Sequence, residues 1–574
     1  MGYNDEYKKW LLSPSLSAEE KAELESIIHD PKEMEDRFFA PLSFGTAGLR
    51  GIMGVGLHRM NVHVIRHATQ GFASLIRALG PEAMERGIVI CFDCRRNSSL
   101  FAREAASVMA GNGVRVRIFD ALRPTPELSF AIREYGAMAG INITASHNTK
   151  EYNGYKVYWE DGAQLPPEHA ASVASEMAKI DIFTGIKLKD FDEALSEGLV
   201  EVIGEEIDQK FLENVMAHAI DTDCVKKAAD GLRIVYTPFH GSGYRMVPEV
   251  LRRLGIKHLF PVPEQMELDG DFPTVESPNP EYTEGFHLAV ELAHRENASL
   301  IIGTDPDADR IGVMVQKDGD FISISGNQLG VLLMDYMINA KRAAGTLPEN
   351  AAILKSIVTT KMSDKIADMN GIYIEDTFTG FKFMAEKIKD FEATGEKQVI
   401  FSYEESYGYM IGDFVRDKDA VTASMLVAEM AASYHLKGMT LYDALQSLYE
   451  KYGYYCERTL NLVMPGFDGL KNMRRLMSSL RAQPPREIGG AEVLRITDYS
   501  DGTVLDVKSG AVLEARLRGS NVLYFELSDG TDFIVRPSGT EPKIKVYIMA
   551  KGQSVKDCEE KILRYEEYAK TLEG

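Results

Sequence analysis

Asp305-Pro306-Asp307-Ala308-Asp309 sets three carboxylates on alternate residues directly after the apolar run Ala298 to Ile302. Like charges so close repel one another, so the spacing suits oxygen ligation of a hard divalent cation. Thr144-Ala145-Ser146-His147-Asn148 follows a second apolar run, Met138 to Ile143, and offers a serine hydroxyl in a polar loop. Arg536-Pro537-Ser538-Gly539-Thr540 gathers a guanidinium, two hydroxyls and a glycine amide, a set able to grip a phosphate dianion. Glu404-Glu405-Ser406 offers an acceptor and a donor for vicinal sugar hydroxyls, and Thr379-Gly380-Phe381-Lys382 adds a hydroxyl, a glycine and an amine. In Phe44-Gly45-Thr46-Ala47-Gly48-Leu49-Arg50-Gly51, three glycines within seven residues imply tight turns around one arginine aimed at an anion.

Each stretch alone also fits an ordinary capped turn. Several sharper alternatives fail on their own terms. An EF-hand requires Gly where Arg310 stands and a bidentate Glu where Gln316 stands. A serine-hydrolase elbow, G-x-S-x-G, has Thr144 and Asn148 in place of its glycines, and adjacent residues on extended chain point apart, which separates Ser146 from His147. Cys91-Phe92-Asp93-Cys94 ends an apolar strand-like run, without the helix N-terminus or second ligand pair that a redox or zinc site needs. An aspartyl-phosphate enzyme similar to haloacid-dehalogenase phosphatases is the more serious rival, but their D-x-D-x-[T/V] pattern has Thr or Val where this chain has Asp309. A Ca2+-binding or sugar-phosphate-sensing module without turnover is the non-enzymatic alternative.

The elements carrying these loops alternate strand and helix, which predicts α/β units with mixed, largely parallel sheets. Units spanning 1–205, 206–323 and 324–455 each present a polar loop after a strand, where ligands of open α/β sheets bind, so the three edges converge on a central cleft. Residues 456–574 change character to short alternating strands with an Asp529-Gly530 hairpin signal and a closing helix, a smaller C-terminal α+β domain. Near the N-terminus, 18–29 reads as an acidic amphipathic helix ended by Asp30-Pro31.

At 574 residues with 45% hydrophobic content, the chain exceeds what one core supports. A formal charge of -22 argues against nucleic acid and anionic membrane as partners, so an anionic small molecule must meet a local basic pocket. The first twenty residues lack a secretory signal, no stretch approaches a membrane span, and five scattered cysteines suit a reducing compartment; the expected location is cytoplasmic.

Thr-Ala-Ser146-His-Asn, Asp305-x-Asp307-x-Asp309-Arg310, Glu404-Glu-Ser406 and Arg536-Pro-Ser-Gly-Thr540, in this order across nearly the whole chain, closely resemble the α-D-phosphohexomutase superfamily. The Phe44 to Arg50 stretch looks like its phosphoglucomutase and phosphopentomutase-like branch. The resemblance implies reversible phosphoryl transfer on a small-molecule sugar phosphate, a glucose phosphate first, then pentose or mannose phosphate. It implies Ser146 as the phosphoserine, primed by a sugar 1,6-bisphosphate, and one Mg2+ held by its phosphate with Asp305, Asp307 and Asp309. Lys156, Arg50 and His147 complete the implied catalytic set. Substrate would be held by Arg310, Thr379, Gly380, Lys382, Glu404 and Ser406, and its non-reacting phosphate by Arg536, Ser538, Gly539 and Thr540. Some members carry a histidine two residues after the sugar-loop serine, where this chain has Gly408, which leaves a second general acid/base unassigned. The expected assembly is a monomer or homodimer, with the fourth unit closing over the cleft to exclude water.

Overall fold

The computed structural model describes residues 2–45, 48–464, 469–538 and 543–573, so the predicted phosphate-loop residues Gly539 and Thr540 lie outside it. Runs such as Ile88–Phe92 and Ala139–Ile143 are apolar without alternation because both faces are covered, and every residue in them is buried. They pair in parallel at the centre of a six-stranded sheet. Strand Tyr152–Trp159 runs antiparallel beside Ala139–Ile143, and Leu49–Ile52 runs antiparallel at the edge. Arg50 therefore stands in a strand opposite Gly154, not in a free loop. The glycine-rich composition hid a pairing made with residues about a hundred positions away.

The second sheet has five strands and the third four, both mixing parallel and antiparallel pairs. The last is an eight-stranded sheet in which every pairing is antiparallel. This is the expected architecture of three α/β units and a smaller C-terminal α+β unit. At the N-terminus, the helix expected over 18–29 stops at Ser26. Asp30 begins the next helix, Pro31–Phe38, by accepting from the amides of Lys32 and Glu33 at 3.1 Å. Proline at the first helical position forfeits no intrahelical bond, so Asp-Pro is a start signal here.

One apolar core runs continuously through the first three units, joining Cys91, Leu128 and Phe130 to Tyr236, Leu251, Phe401 and Met425. Helix Thr125–Glu134 lies at their junction and is buried from Thr125 to Ile132. Its polar residues reach across: the Ser129 hydroxyl accepts from the Arg416 amide at 2.9 Å while donating to Gly162 O at 2.7 Å. The C-terminal unit has a core of its own and meets the third through a smaller patch, Ile357, Val358 and Phe378 against Val522, Ile534 and Tyr547. All five cysteines are free, and among the described residues no helix is long and apolar enough to cross a membrane.

Candidate active site

The strand Ala139–Ile143 delivers Ser146 into the cleft, and the strand Leu300–Thr304 delivers the aspartates. Ser146 has a φ of 52° and Ala308 a φ of 50°. Left-handed backbone at non-glycine residues costs on the order of 1 kcal/mol each and concentrates at functional sites. The turn at Ser146 also undoes the expected separation from His147, since the chain is not extended there. Ser146 Oγ lies 3.3 Å from His147 Nδ1. Burial, followed by the charges of Arg310 and Arg50, keeps that imidazole neutral.

Ser146 Oγ donates to Asp305 Oδ2 at 2.8 Å. Asp305, Asp307 and Asp309 are fully buried, with one carboxylate oxygen from each lying within 4.8 Å of the others. The protein secures both oxygens of Asp305 and one oxygen of each of the other two. Asp305 Oδ1 accepts from the amides of Asp309 and Arg310 at 3.0 Å. Asp307 Oδ2 accepts from Lys156 Nζ at 2.6 Å and Thr125 Oγ1 at 2.8 Å. Asp309 Oδ2 meets Lys156 Nζ at 3.2 Å and Lys418 Nζ at 3.1 Å. The second oxygens, Asp307 Oδ1 and Asp309 Oδ1, are buried with no hydrogen-bond partner among the described residues. Buried carboxylate oxygens without partners, on three aspartates this close together, are what a hard cation requires, so the donor set fits a divalent metal ion. Burial and the neighbouring Asp307 and Asp309 push the Asp305 carboxyl well up, the penalty such a cation would remove.

Arg50 reaches the same loop, donating to Asn148 Oδ1 at 2.9 Å. Its strand comes this close because Gly154 has no side chain: a Cβ there would lie 2.4 Å from Thr144 O and 3.0 Å from Leu49 O. Arg310 pairs with Glu281 at 2.9 Å and forms an isolated bridge with Gly408, tying the metal loop to the hairpin that carries Glu404 and Ser406. Glu404 is buried and accepts from the amide of Gly380, a residue at φ 122° that only glycine tolerates and that starts the helix Phe381–Thr394. Ser406 and Thr379 are half-buried beside them. Farther along, Arg536 Nη1 donates to Tyr547 OH at 3.4 Å. Burial and the Arg536 charge lower the Lys382 amine, so the third and fourth units bring cations together. Ser538, the remaining described residue of that loop, is half-buried at its start, its amide bonded to Lys543 O at 2.8 Å.

Profiles of the phosphoglucomutase/phosphomannomutase α/β/α domains I, II and III match residues 41–182, 209–319 and 325–452. The phosphoglucomutase of Staphylococcus saprophyticus is 35% identical over 539 residues, 92% of this chain and 95% of that one. The chain belongs to the phosphoglucomutase/phosphomannomutase family. A phosphoglucomutase of Staphylococcus aureus strain USA300 is likewise 35% identical, with 92% of this chain and 93% of that one covered. At the level of fold, the open form of the Paramecium phosphoglucomutase parafusin superimposes with a TM-score of 0.66 at 17% identity, over 92% of this chain and 95% of that one. A family protein from Burkholderia thailandensis gives 0.65 at 17% identity, over 92% and 96%.

Within this family framework, the residue that sequence reasoning missed is Lys418. It stands where the Gly408 hairpin leaves room: a Cβ on Gly408 would lie 2.3 Å from Lys418 Cδ. Its Nζ bridges Asp309 Oδ2 and Asp417 Oδ1 (2.9 Å), and Asp417 is fixed by Tyr158 OH at 3.0 Å and Gln164 Nε2 at 3.2 Å. Burial opposes the Lys418 charge, but Asp309 and Asp417 outweigh it and hold the amine cationic. Lys418 stands among four consecutive charged residues, Arg416-Asp417-Lys418-Asp419, whose composition alone does not show burial. The available signal was its position between the apolar strand Gly408–Ile411 and the wholly buried helix start at Ala420. Thr125 and Arg95 likewise carry no mark in the sequence. Arg95 braces the serine loop from beneath, donating to Thr149 O at 2.8 Å and to Ser146 O and Asn148 O.

Proposed function

We propose that this chain is a phosphoglucomutase, interconverting α-D-glucose 1-phosphate and glucose 6-phosphate through phospho-Ser146 and a glucose 1,6-bisphosphate intermediate. The observation that carries the reading is the Ser146 hydroxyl hydrogen-bonded to Asp305 within the buried triad, in a cleft whose far side brings Lys382 and Arg536 together. One phosphorylated serine facing one fixed anion site suits a substrate that binds in two orientations. Phospho-Ser146 gives its phosphoryl group to the free sugar hydroxyl; the bisphosphate turns over and returns its other phosphate to the serine. Mg2+ at the triad, when bound, supplies the positive charge that phosphoryl transfer depends on. Arg50, Lys156 and Arg310 add fixed positive charge around the serine. With Lys156 and Lys418 both at Asp309, two amines rather than one are available for proton movement and charge stabilisation.

Glu404 and Ser406 are assigned to the sugar hydroxyls, and Arg310, Thr379, Gly380 and Lys382 to substrate contacts. Arg536 and Ser538, with Gly539 and Thr540, are assigned to the non-reacting phosphate. Glucose is favoured over mannose or pentose because the 35%-identical relatives are phosphoglucomutases. The units are placed at 1–205, 206–323, 324–455 and 456–574, and five free thiols suit the cytoplasm. The test is a coupled assay on glucose, mannose and ribose 1-phosphates with and without the matching bisphosphate. Glucose 1-phosphate should turn over fastest and with bisphosphate stimulation. Ser146→Ala should abolish both turnover and an acid-stable phosphoprotein; a fully active variant, or an acid-labile phosphoprotein, would sink the mechanism.

A further inference from the structure

Asp307 is gripped by one threonine from another unit. Thr125 Oγ1 donates to Asp307 Oδ2 at 2.8 Å, and the Thr125 amide donates to Asp307 O at 2.8 Å, so side chain and main chain are held together. Behind Thr125, Asn142 Nδ2 donates to its Oγ1 at 2.8 Å. All three residues are fully buried. Asn142 lies on the strand that leads to Ser146 and stands directly across the ladder from Lys156, whose amine takes the same Asp307 oxygen at 2.6 Å.

The polarity of this chain is fixed by donor inventory. A hydroxyl has one proton, and with the Asn142 amide filling its acceptor side, that proton goes to Asp307. Turning the Asn142 amide over would set the Thr125 proton on Asn142 and leave a hydroxyl lone pair facing a carboxylate. Lys156 Nζ already donates to Asp307 Oδ2, which marks that oxygen as an acceptor and selects the arrangement; with both grips on Oδ2, Oδ1 is left buried and unpartnered among the described residues.

We infer that Thr125 and Asn142 are positioning residues for the metal centre. They lock the Asp307 carboxylate with Oδ1 toward the triad, and they couple the loop that carries the aspartates to the strand that carries Ser146. This rests on the reading of the three aspartates as a cation site. Groups that orient a metal ligand without touching the metal commonly set affinity by about 10–100-fold.

The test is titration of the whole protein with Mn2+, following the free ion by electron paramagnetic resonance, for wild type, Thr125→Val, Thr125→Ser and Asn142→Ala. T125V keeps the shape and loses the hydroxyl, so its Mn2+ affinity should fall by about 10–100-fold. T125S should stay close to wild type, and N142A should fall between. In turnover, T125V should recover kcat at raised Mn2+ with KM for the sugar phosphate unchanged, which a packing defect would not do. Wild type that binds no Mn2+ would remove the metal reading beneath this inference. Wild type that binds, beside a folded T125V of equal affinity, would overturn the inference itself. Should T125V fail to fold, T125S and N142A decide: N142A equal in affinity to T125S refutes it.

Discussion

Replacing Lys418 with methionine isolates the charge of a buried amine while keeping its stem against the Phe381 ring, whose centroid lies 5.3 Å from Nζ. The amine is 3.1 Å from Asp309 and 2.9 Å from Asp417. Deleting one partner of a buried ion pair costs about 3–5 kcal/mol because a charge is left uncompensated. Here the stranded carboxylates keep other partners: Asp309 retains Lys156 at 3.2 Å, and Asp417 retains Tyr158 and Gln164. The lower end, about 3 kcal/mol, is therefore expected. At roughly 2–4 °C per kcal/mol for units of this size, Tm should drop by about 6–12 °C in EDTA.

Divalent cation should reverse part of that loss. K418M makes the triad's surroundings more negative by one charge, so Mg2+ gains affinity as the metal-free protein loses stability. Turnover should nonetheless fall by about 100–1000-fold, the scale seen when one preorganised charge-stabilising donor is removed. Thermal unfolding with EDTA and with saturating Mg2+, beside a coupled glucose 6-phosphate assay, reads all three quantities. An unchanged Tm in EDTA, or wild-type kcat, would refute the assignment of Lys418 to this centre.

Glu405 gives a pH signature on the hairpin that carries Glu404 and Ser406. Burial, then repulsion from Glu404, raises its carboxyl to about 7, while the unfolded chain titrates near 4.5. The folded state thus holds its proton more tightly, and stability is lost as pH rises from the unfolded to the folded value. Glu405→Gln should gain on wild type by on the order of 2 kcal/mol between pH 5.5 and 8, seen as a widening Tm difference; a constant difference across that range would contradict it. Arg123 makes a bidentate pair with Asp208 at 2.7 and 3.0 Å, both side chains buried, and removing it leaves Arg245, at 3.2 Å, as the cation beside Asp208. Arg123→Met should cost about 3–5 kcal/mol in unfolding experiments and leave KM unchanged; a shift in KM without a loss of stability would show that the pair serves the cleft instead.

The sequence made the loops legible wherever chemistry and its delivery were local. An apolar run followed at once by polar residues marked Ser146 and the three aspartates. Pairing over long separations was not legible. Arg50 looked like loop because Gly45, Gly48 and Gly51 surround it, while the strand it joins depends on Gly154 letting two backbones approach. Extended chain would carry Ser146 and His147 apart, a premise that a φ of 52° removes. Thr125 and Lys418 were hidden for another reason. A threonine between two prolines reads as a helix start, and Lys418 reads as surface charge. Both reach the aspartates only because three units bury them at one junction.

That junction and the fourth unit divide the labour differently. One large apolar cluster spans the first three units, beside further clusters of the first and second, and polar contacts from helix Thr125–Glu134 to both of the others reinforce it, so the serine, the aspartates and the two lysines are fixed relative to one another. The C-terminal unit folds around a separate core and touches the third through a much smaller cluster. Separating surfaces costs free energy in proportion to the apolar area they bury. The interface that opens at least cost is therefore the one in front of Arg536, not one within the catalytic centre. A substrate that must turn over between two phosphoryl transfers needs that asymmetry: its reacting end requires rigid partners, whereas its other phosphate requires a grip that can release and re-form.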